Sequence, residues 1–284
     1  MCIMKKKNII ITGSSGFIGN NLVKWLSKKY NVIGIDKQEG TPDGVEFYQK
    51  DINYDLPDIE NVYAVIHLAA TAGVRQSREN FKQYVHDNIL GTQSILEKCI
   101  SDWKPKKLLV ASSSSVYSNK SPYAMTKIAT EKLVEAYKEC GLINCWTCCM
   151  RLHTVYGMNQ RKGLAIREFI DRMLKDEPIS VYGTGEQQRD FTYIDDVCRC
   201  IEELLIEGIP LKPFMDIGSQ APVTINYVIW LLSRLMDKEV KIKYEPWNRY
   251  DTLRTCANER CVSDITPIEK GLKKQIEWQK EMMK

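Results

Sequence analysis

Tyr123 and Lys127 stand four residues apart, a spacing that puts two side chains on one face of a helix. A phenol has a pKa of about 10 and is a poor base at neutral pH. Lowering that pKa to about 7 takes about 4 kcal/mol, which one cation about 4 Å away supplies at an effective dielectric near 20. The pair therefore predicts proton transfer. With 14 tyrosines in the chain the spacing also arises by chance, so an exposed helical pair is the alternative.

A glycine-rich turn follows the first apolar run of the chain. Gly13, Gly16 and Gly19 come directly after the β-branched run Asn8–Thr12 and open a helix with an apolar face. Glycine lets the backbone approach a pyrophosphate closely, and the amino end of a helix offers it unpaired N–H groups. The spacing alone is weak evidence, but between a strand and a helix it predicts a dinucleotide site. The alternative is a plain tight turn.

Asp36 ends the second apolar run, 23 positions after Gly13. An acid at that place hydrogen-bonds ribose hydroxyls and repels a 2′-phosphate, so we expect NAD rather than NADP. Lys37 beside it carries a charge that a 2′-phosphate would favour, and a loop-capping role for Asp36 stays open.

Strands and helices alternate through the first half of the chain. The predicted strands are Asn8–Thr12, Asn31–Asp36, Glu46–Gln49, Val62–Leu68, Lys107–Ser112 and Asn144–Leu152, and the predicted helices are Gly16–Lys29, Asn80–Ile100 and Pro122–Cys140. This alternation predicts an α/β fold with a Rossmann-type doubly wound parallel sheet. From about Val155 glycines and prolines separate shorter elements. We therefore predict an NAD-binding domain over residues 1–154, a smaller α/β substrate-binding domain over residues 155–284, and a strand at 213–217 that returns to the main sheet.

Composition excludes several classes of protein. The chain has 284 residues, 44% of them hydrophobic and 27% charged, which is typical of a folded protein. A net charge of +4 with mixed signs argues against a nucleic-acid partner. No apolar stretch reaches the roughly 18 residues of a membrane span, and no signal peptide is evident, so we expect a cytoplasmic location. Neither a metal-binding cluster nor a His/Asp/Ser triad is evident, and the ten cysteines are expected to be structural.

Ordered motifs along most of the chain resemble the extended short-chain dehydrogenase/reductases that act on nucleotide sugars. They are the glycine turn and the segments His67–Arg75, Asp87–Thr92, Ala111–Tyr117, Ser121–Lys127, Arg151–Gly157, Arg189–Asp196 and Asp251–Thr255. Within that family, Ala72–Arg75 and Thr154–Gly157 look most like UDP-glucuronate 4-epimerases.

The resemblance implies roles for individual residues. Ser113 would be the third catalytic group beside Tyr123 and Lys127. The residues implied to bind NAD are Gly13, Ser15, Gly16, Phe17, Ile18, Gly19, Asp36, Asp51, Ile52, Leu68, Ala69, Ala70 and Asn88, together with Tyr123 and Lys127. The residues implied to bind the nucleotide sugar are Arg75, Ser114, Ser115, Thr154, Arg189, Arg249 and Asp251.

The residues after Ser113 bear on the reaction. Related dehydratases carry Asp and Glu where this chain has Ser114 and Ser115, and related decarboxylases carry Glu at the second position. Neutral hydroxyls favour a sugar that is oxidised and reduced again, so the resemblance implies an NAD-dependent UDP-sugar 4-epimerase with a 4-keto intermediate. The alternatives are a ketoreductase, an atypical dehydratase, and a non-enzymatic cofactor-sensing scaffold.

Two further expectations concern loops and assembly. Only ten positions separate Ser113 from Tyr123, a short loop for a family 4-epimerase, which bears on the choice of sugar. The resemblance also implies a homodimer in which the helices near Asn80–Ile100 and Pro122–Cys140 pair with their copies.

Overall fold

The computed structural model describes residues 6–118, 120–206, 212–247 and 251–283. The chain divides into two compact units. The first contains Met1–Arg151 and Ile201–Met215, and the second contains Leu152–Cys200 and Asp216–Lys284. The boundary predicted from the sequence, after residue 154, lies three residues later than this one. The sequence analysis assigned only the strand near 213–217 back to the first unit, whereas the structure assigns Ile201–Met215 to it.

A seven-stranded sheet forms the centre of the fold. Its strands are β1 (Asn8–Thr12), β2 (Asn31–Asp36), β3 (Glu46–Gln49), β4 (Val62–His67), β5 (Lys107–Ser113), β6 (Trp146–Leu152) and β11 (Phe214–Ile217). The order across the sheet is β11-β6-β5-β4-β1-β2-β3. The pairings of β1 with β2 and β4, of β2 with β3, and of β4 with β5 are all parallel. The predicted fold class is confirmed.

Burial explains why the central strands read as apolar runs. Every residue of β4 and β5 is buried, as in a sheet covered on both faces. The covering helices of the first unit are α1 (Phe17–Leu26), α2 (Phe81–Tyr84), α3 (Gly91–Lys98) and α4 (Pro122–Glu139). Two π-helical segments, Val85–Leu90 and Cys99–Trp103, follow α2 and α3.

The chain continues through α5 (Ala165–Leu174) to α6 (Ile194–Leu204), whose last turn lies in the first unit. Carbonyl groups at the end of a helix need donors from elsewhere. Lys107 of β5 is buried and donates its ammonium hydrogens to the carbonyls of Leu204 (2.8 Å) and Ile206 (2.5 Å). The hydroxyl of Tyr63 donates to the carbonyl of Leu205 at 2.8 Å. These bonds attach residues 204–206 to the sheet of the first unit.

In its described residues, the second unit contains short strands and several helices, among them the first turns of α6. The strands are β7 (Thr154–Tyr156), β8 (Ile179–Tyr182), β9 (Gln188–Arg189), β10 (Phe191–Tyr193), β12 (Val223–Thr224) and β13 (Ile242–Glu245), and they pair as β7–β10, β9–β12 and β8–β13. Besides α5, its helices include α7 (Ile225–Met236) and α8 (Ile268–Met282). Throughout the described residues, every helix is too short or too polar to cross a bilayer.

Candidate active site

The glycine turn lies between β1 and α1, as predicted. Gly13 has a φ of +73°, and a Cβ built on it would lie 2.7 Å from the amide nitrogen of Ala69. A side chain at Gly19 would collide with the carbonyl of Gly13. Gly16 is the N-cap of α1, where no side chain caps the helix and no acid stands in the first turn. The amide groups at this helix end therefore face outward, with a positive dipole end that suits a phosphate.

The carboxylate of Asp36 lies beside this turn. Its Oδ2 accepts a hydrogen bond from the backbone N–H of Ser15 at 3.0 Å, and its Oδ1 accepts one from Gln38 at 2.9 Å. The hydroxyl of Ser15 in turn donates to the carbonyl of Gln38 at 2.8 Å. Asp36 thus fixes the glycine turn to the loop after β2, and its remaining lone pairs can accept further hydrogen bonds. The loop-capping role that the sequence left open is real.

The residues after β4 run directly alongside the glycine turn. Leu68 donates its N–H to the carbonyl of Thr12 at 3.1 Å, and Ala69 donates to the Thr12 hydroxyl at 3.2 Å. Leu68, Ala69 and Ala70 are half-buried. The structure therefore brings this predicted group next to Gly13.

Asp51 and Ile52 follow β3. Oδ1 of Asp51 accepts hydrogen bonds of 3.0 Å from both the backbone and the side-chain nitrogen of Asn53. Ile52 is 7% exposed and packs into the core, where its Cδ1 would lie 2.6 Å from a Cβ built on Gly91. Ile52 thus offers little surface to a ligand, and it packs against Gly91 at the start of α3.

Asn88 is fully enclosed between the loop after β4 and helix α4. Its Oδ1 accepts from the N–H of Thr71 at 2.8 Å, while its Nδ2 donates to the carbonyl of Thr71 at 3.0 Å and to the hydroxyl of Thr126 at 2.9 Å. Both amide hydrogens are therefore engaged within the protein. Asn88 holds the Ala69–Thr71 backbone against α4, which positions the site.

His67 is a core histidine, 3% exposed at the end of β4. Its Nδ1 lies 2.7 Å from the hydroxyl of Thr12 and its Nε2 lies 3.2 Å from that of Thr92. Thr92 donates its own hydrogen to the carbonyl of Asn88 at 2.6 Å, so Nε2 must carry the proton. Burial, with the nearby charge of Lys127, lowers the pKa of His67 to about 3. The imidazole is neutral and joins β1 to α3.

Tyr123 and Lys127 occupy the first two turns of α4. Ser121 caps the helix by accepting the N–H of Ala124 at 3.1 Å, and Pro122 follows as the first helical residue. Tyr123 is 9% exposed and Lys127 is 4% exposed. The ammonium of Lys127 donates to the carbonyl of Ala111 at 2.8 Å, two residues before Ser113 on β5. The predicted pair is therefore buried at the carboxyl end of the central strands, rather than on an exposed helix face.

The environment of Lys127 alters its ionisation. Burial lowers the pKa of Lys127 to about 8, although the negative charge of Glu131 on the next turn opposes the change. An ammonium can donate three hydrogen bonds, and among the described residues that of Lys127 donates to the carbonyl of Ala111. The ammonium thus has donor capacity left for a bound hydroxyl.

Ser113 ends β5, and its hydroxyl donates to Oγ of Ser115 at 3.1 Å while accepting the N–H of Ser115 at 3.2 Å. Ser114 and Ser115 are half-buried in the 3-10 turn Ser114–Tyr117 that follows. Arg75 is exposed, next to the 3-10 turn Gln76–Arg78.

Sequence reasoning missed an ion pair directly behind these residues. Glu131 is buried and accepts two hydrogen bonds from Arg151, from Nε at 2.9 Å and from Nη2 at 2.8 Å. It also accepts the hydroxyl of Ser112 at 2.5 Å. Arg151 donates from Nη1 to the hydroxyl of Tyr117 at 3.0 Å. The four-residue spacing from Lys127 to Glu131 could have revealed that Glu131 shares its face, but its partner on β6 is a tertiary contact.

The remaining predicted substrate residues belong to the second unit. Nη1 of Arg189 donates to the carbonyls of Gln188 and Thr252, each at 2.8 Å, which brings it close to half-buried Asp251. Thr154 is half-buried on β7. Arg249 lies outside the described residues.

Asp190, next to Arg189, is buried and holds three segments of this unit together. Its carboxylate accepts the N–H groups of Ser219 (2.9 Å), Gln220 (3.0 Å) and Ala257 (2.8 Å) and the hydroxyl of Ser219 (2.5 Å). His153 lies between Asp190 and Asp216, with ring nitrogens 3.9 and 3.7 Å from their oxygens. Sequence reasoning gave His153 no role, and the structure buries it completely.

Comparison with known proteins gives consistent results. The family model described as the NAD dependent epimerase/dehydratase family matches residues 9–208. A UDP-glucuronate 4-epimerase from Thermodesulfobacterium geofontis is 35% identical over 317 aligned positions, which cover 96% of this chain and 96% of that protein.

Solved structures are similar over the same length. MoeE5 in complex with UDP-glucuronic acid and NAD has a TM-score of 0.89 and 32% identity, and the alignment covers 97% of this chain and 99% of that one. The UDP-glucuronic acid 4-epimerase from Bacillus cereus in complex with UDP-glucuronic acid and NAD has a TM-score of 0.87 and 28% identity, again over 97% and 99%. The resemblance drawn from the sequence motifs is thus confirmed. Because the family model spans most of the chain and its relatives align along nearly all of it, the protein belongs to the NAD dependent epimerase/dehydratase family.

Proposed function

We propose that the protein is an NAD-dependent epimerase that inverts C4 of a UDP-sugar, with UDP-glucuronate as the first candidate. The observation that supports this most is the buried Tyr123–Lys127 pair at the carboxyl end of β5. The related protein from Thermodesulfobacterium geofontis bears the name UDP-glucuronate 4-epimerase, and two similar structures contain UDP-glucuronic acid and NAD.

The residues present fit a dinucleotide. The close approach of Gly13 to Ala69 leaves no room for a side chain, and the uncapped start of α1 suits a pyrophosphate. Asp36 would accept the adenosine ribose hydroxyls, and Lys127 would donate to the nicotinamide ribose. When bound, NAD supplies the hydride acceptor and returns the hydride. The further residues proposed to line it are Ser15, Gly16, Phe17, Ile18, Gly19, Asp51, Ile52, Leu68, Ala69, Ala70 and Asn88.

Tyr123 is the proposed base. Its phenolate oxygen takes the proton of the sugar 4-hydroxyl while C4 gives up its hydride to the bound acceptor, which leaves a 4-keto sugar, and the phenol gives the proton back when the hydride returns. Lys127 stabilises the phenolate by its charge. Ser113 donates a hydrogen bond to the same sugar oxygen and keeps it directed at Tyr123. After the keto sugar has turned over, reduction from the opposite face gives the epimer.

The uridine diphosphate would be held by the second unit. Arginine suits a diphosphate because its planar guanidinium forms paired, charged hydrogen bonds. Backbone carbonyls orient the guanidinium of Arg189, and Asp251 lies one residue from its contact at Thr252. The proposed diphosphate ligands are Arg189 and Arg249, with Asp251 on the uridine ribose, Thr154 beside the sugar nucleotide, and Ser114, Ser115 and Arg75 near the sugar.

Local charges support epimerisation over loss of water. Elimination needs an acid and a base near the sugar, whereas Ser114 and Ser115 are neutral. The nearby carboxylate of Glu131 is already bound by Arg151 and Ser112. We therefore place dehydration second to epimerisation.

Cysteine chemistry and exposed apolar groups support two finer proposals. None of the nine cysteines in the described residues forms a disulfide, as is typical of a reducing compartment, and we propose the cytoplasm. Phe81, Leu90 and Met125 are 44%, 47% and 49% exposed on the helical segments that the resemblance assigned to a dimer contact. We propose that these segments pair with their copies.

The decisive experiment incubates the purified protein with NAD and no reductant. UDP-glucuronate, UDP-galactose and UDP-N-acetylglucosamine are supplied in turn, and products are identified by NMR. We expect the C4 epimer of one sugar, formed over many turnovers without net NADH. Product that forms only with stoichiometric NADPH would make the protein a reductase, and a 4-keto-6-deoxy product would make it a dehydratase.

A further inference from the structure

Lys37 stands directly after Asp36, the proposed ribose ligand, at the end of β2. An ammonium at this place would attract the 2′-phosphate of NADP, since lysine is a common phosphate partner. Asp36 has the opposite effect, because a carboxylate repels that phosphate. The two neighbours therefore have opposite effects on the preference for NAD over NADP, and the position of the Lys37 ammonium decides which effect dominates.

The structure directs that ammonium toward Asp87. Nζ of Lys37 lies 3.3 Å from Oδ2 of Asp87, in the π-helical segment Val85–Leu90. By contrast, the Asp36 carboxylate faces the backbone N–H groups of Ser15 and Gln38. The Lys37 side chain therefore contacts the segment Val85–Leu90, whereas the Asp36 side chain contacts the glycine turn and the loop after β2.

Burial and hydrogen bonds fix the Asp87 carboxylate in a position where it can bind a cation. Its side chain is 8% exposed, whereas that of Lys37 is 49% exposed. The hydroxyl of Thr71 donates to it at 2.5 Å, the amide of Gln83 at 2.6 Å, and Nδ1 of His86 lies at 3.1 Å. Burial alone would raise the pKa of Asp87, but these hydrogen bonds and the charge of Lys37 together lower it. The carboxylate therefore stays ionised at neutral pH and fixed in place.

We propose that Asp87 is a determinant of dinucleotide specificity, because it holds the ammonium of Lys37 away from the position of a 2′-phosphate. This inference rests on the proposed function, since it assumes that a dinucleotide binds at the glycine turn. With Lys37 engaged, the charge nearest the adenosine ribose is that of Asp36. Removal of the Asp87 charge frees Lys37 and shifts the preference toward NADP.

Calorimetric titration of the whole chain with NAD and with NADP tests this. The quantity of interest is the ratio of the two dissociation constants, Kd for NADP over Kd for NAD. In Asp87→Asn we expect that ratio to fall about tenfold, because a 2′-phosphate carries nearly two negative charges for the released ammonium to meet. In Lys37→Met/Asp87→Asn the ratio should stay within about twofold of Lys37→Met alone.

Matched variants separate this effect from general damage. Asp58→Asn removes a carboxylate from another lysine pair, with Lys98, and should leave the ratio unchanged. Asp87→Ser serves as a second neutral replacement if the Asn variant does not fold.

An unchanged ratio of dissociation constants in an Asp87 variant that still binds NAD would overturn the proposal. So would a fall in this ratio on Asp87→Asn that is equally large when Lys37 has already been replaced by Met. A wild-type protein that binds neither dinucleotide would instead contradict the proposed function.

Discussion

A buried phenol becomes a base only where its surroundings favour the anion. Burial and the negative charge of Asp195 raise the pKa of Tyr193, as burial and Asp196 do for Tyr156, so those two hydroxyls stay protonated. The surroundings of Tyr123 differ from those of Tyr156 and Tyr193, because the buried Lys127 lies one helical turn away. The neighbour, rather than burial itself, distinguishes a candidate base from a structural tyrosine.

Tyr123→Phe should lower kcat by 100-fold to 10,000-fold, roughly the contribution of a general base, while NAD still binds. Initial rates with the active UDP-sugar and calorimetry with NAD measure the two effects. Tyr63→Phe is the matched control, because it removes another buried hydroxyl, one that bonds to Leu205. A Tyr123→Phe enzyme as fast as the Tyr63→Phe enzyme would contradict the mechanism.

Lys127 makes stability depend on pH. Its pKa in the folded protein is about 8, below the 10.5 of an exposed lysine, so the unfolded chain binds more protons between these values. Stability from this group is therefore lowest below about pH 8 and rises up to about pH 10.5. Between pH 7 and 10 wild type should gain about 2 to 3 kcal/mol relative to Lys127→Met, measured by urea unfolding. A difference that stays constant over this range would show that Lys127 titrates normally.

Residue spacing predicted some of the site and not the rest. Tyr123 and Lys127 are four apart on one helix, so local geometry was enough to pair them. Asp87 and Glu131 came to light only in the structure, because their partners Lys37 and Arg151 lie 50 and 20 residues away on other elements. Pairing over such distances depends on the order of strands in the sheet, which no local spacing encodes.

At the scale of elements, the Glu131–Arg151 pair joins α4 to the end of β6, and Ser112 joins the same carboxylate to β5. Glu131→Gln should lower the free energy of unfolding by about 3 kcal/mol, because Arg151 would lose a nearly buried counter-ion. Arg151→Met should cost a similar amount for the same reason.

A double-mutant cycle checks this by urea unfolding. Glu131→Gln/Arg151→Met should cost clearly less than the sum of the two single changes, because neither charge is left unpaired. Lys132→Met/Glu135→Gln is the matched control, since that pair is exposed on the same helix and should show coupling below about 1 kcal/mol. Strict additivity at Glu131 and Arg151 would contradict the role given to the pair.

The elements themselves followed closely from the sequence. β1, β2 and β3 coincide with the predicted runs. In β1 and β2, β-branched residues bounded by turn residues define a buried strand locally. The predicted helix Asn80–Ile100 was less simple. The structure divides it among α2, α3 and the π-helical segment Val85–Leu90, which carries Asp87 and Asn88. Apolar periodicity does not distinguish a π-helical turn from an α-helical one.

At the scale of the whole molecule, the proposed dimer is directly measurable. Light scattering during gel filtration should give twice 32.8 kDa for the wild type. Leu90→Glu and Met125→Glu should each shift the mass toward the monomer, because a charge would enter an apolar contact. Leu253→Glu is the control, since Leu253 is 74% exposed on the second unit. A wild-type monomer would contradict the pairing of these segments.

The way the chain returns to its first unit affects how the protein can be made. When only residues 1–151 have emerged from the ribosome, the carbonyls of residues 204–206 that Lys107 and Tyr63 bind are still missing. The edge strand β11 is missing as well. The first unit should therefore complete its folding only after most of the chain has emerged. For the same reason, a gene fragment truncated at residue 151 would express a sheet with one edge uncovered and with Lys107 lacking the carbonyls of Leu204 and Ile206.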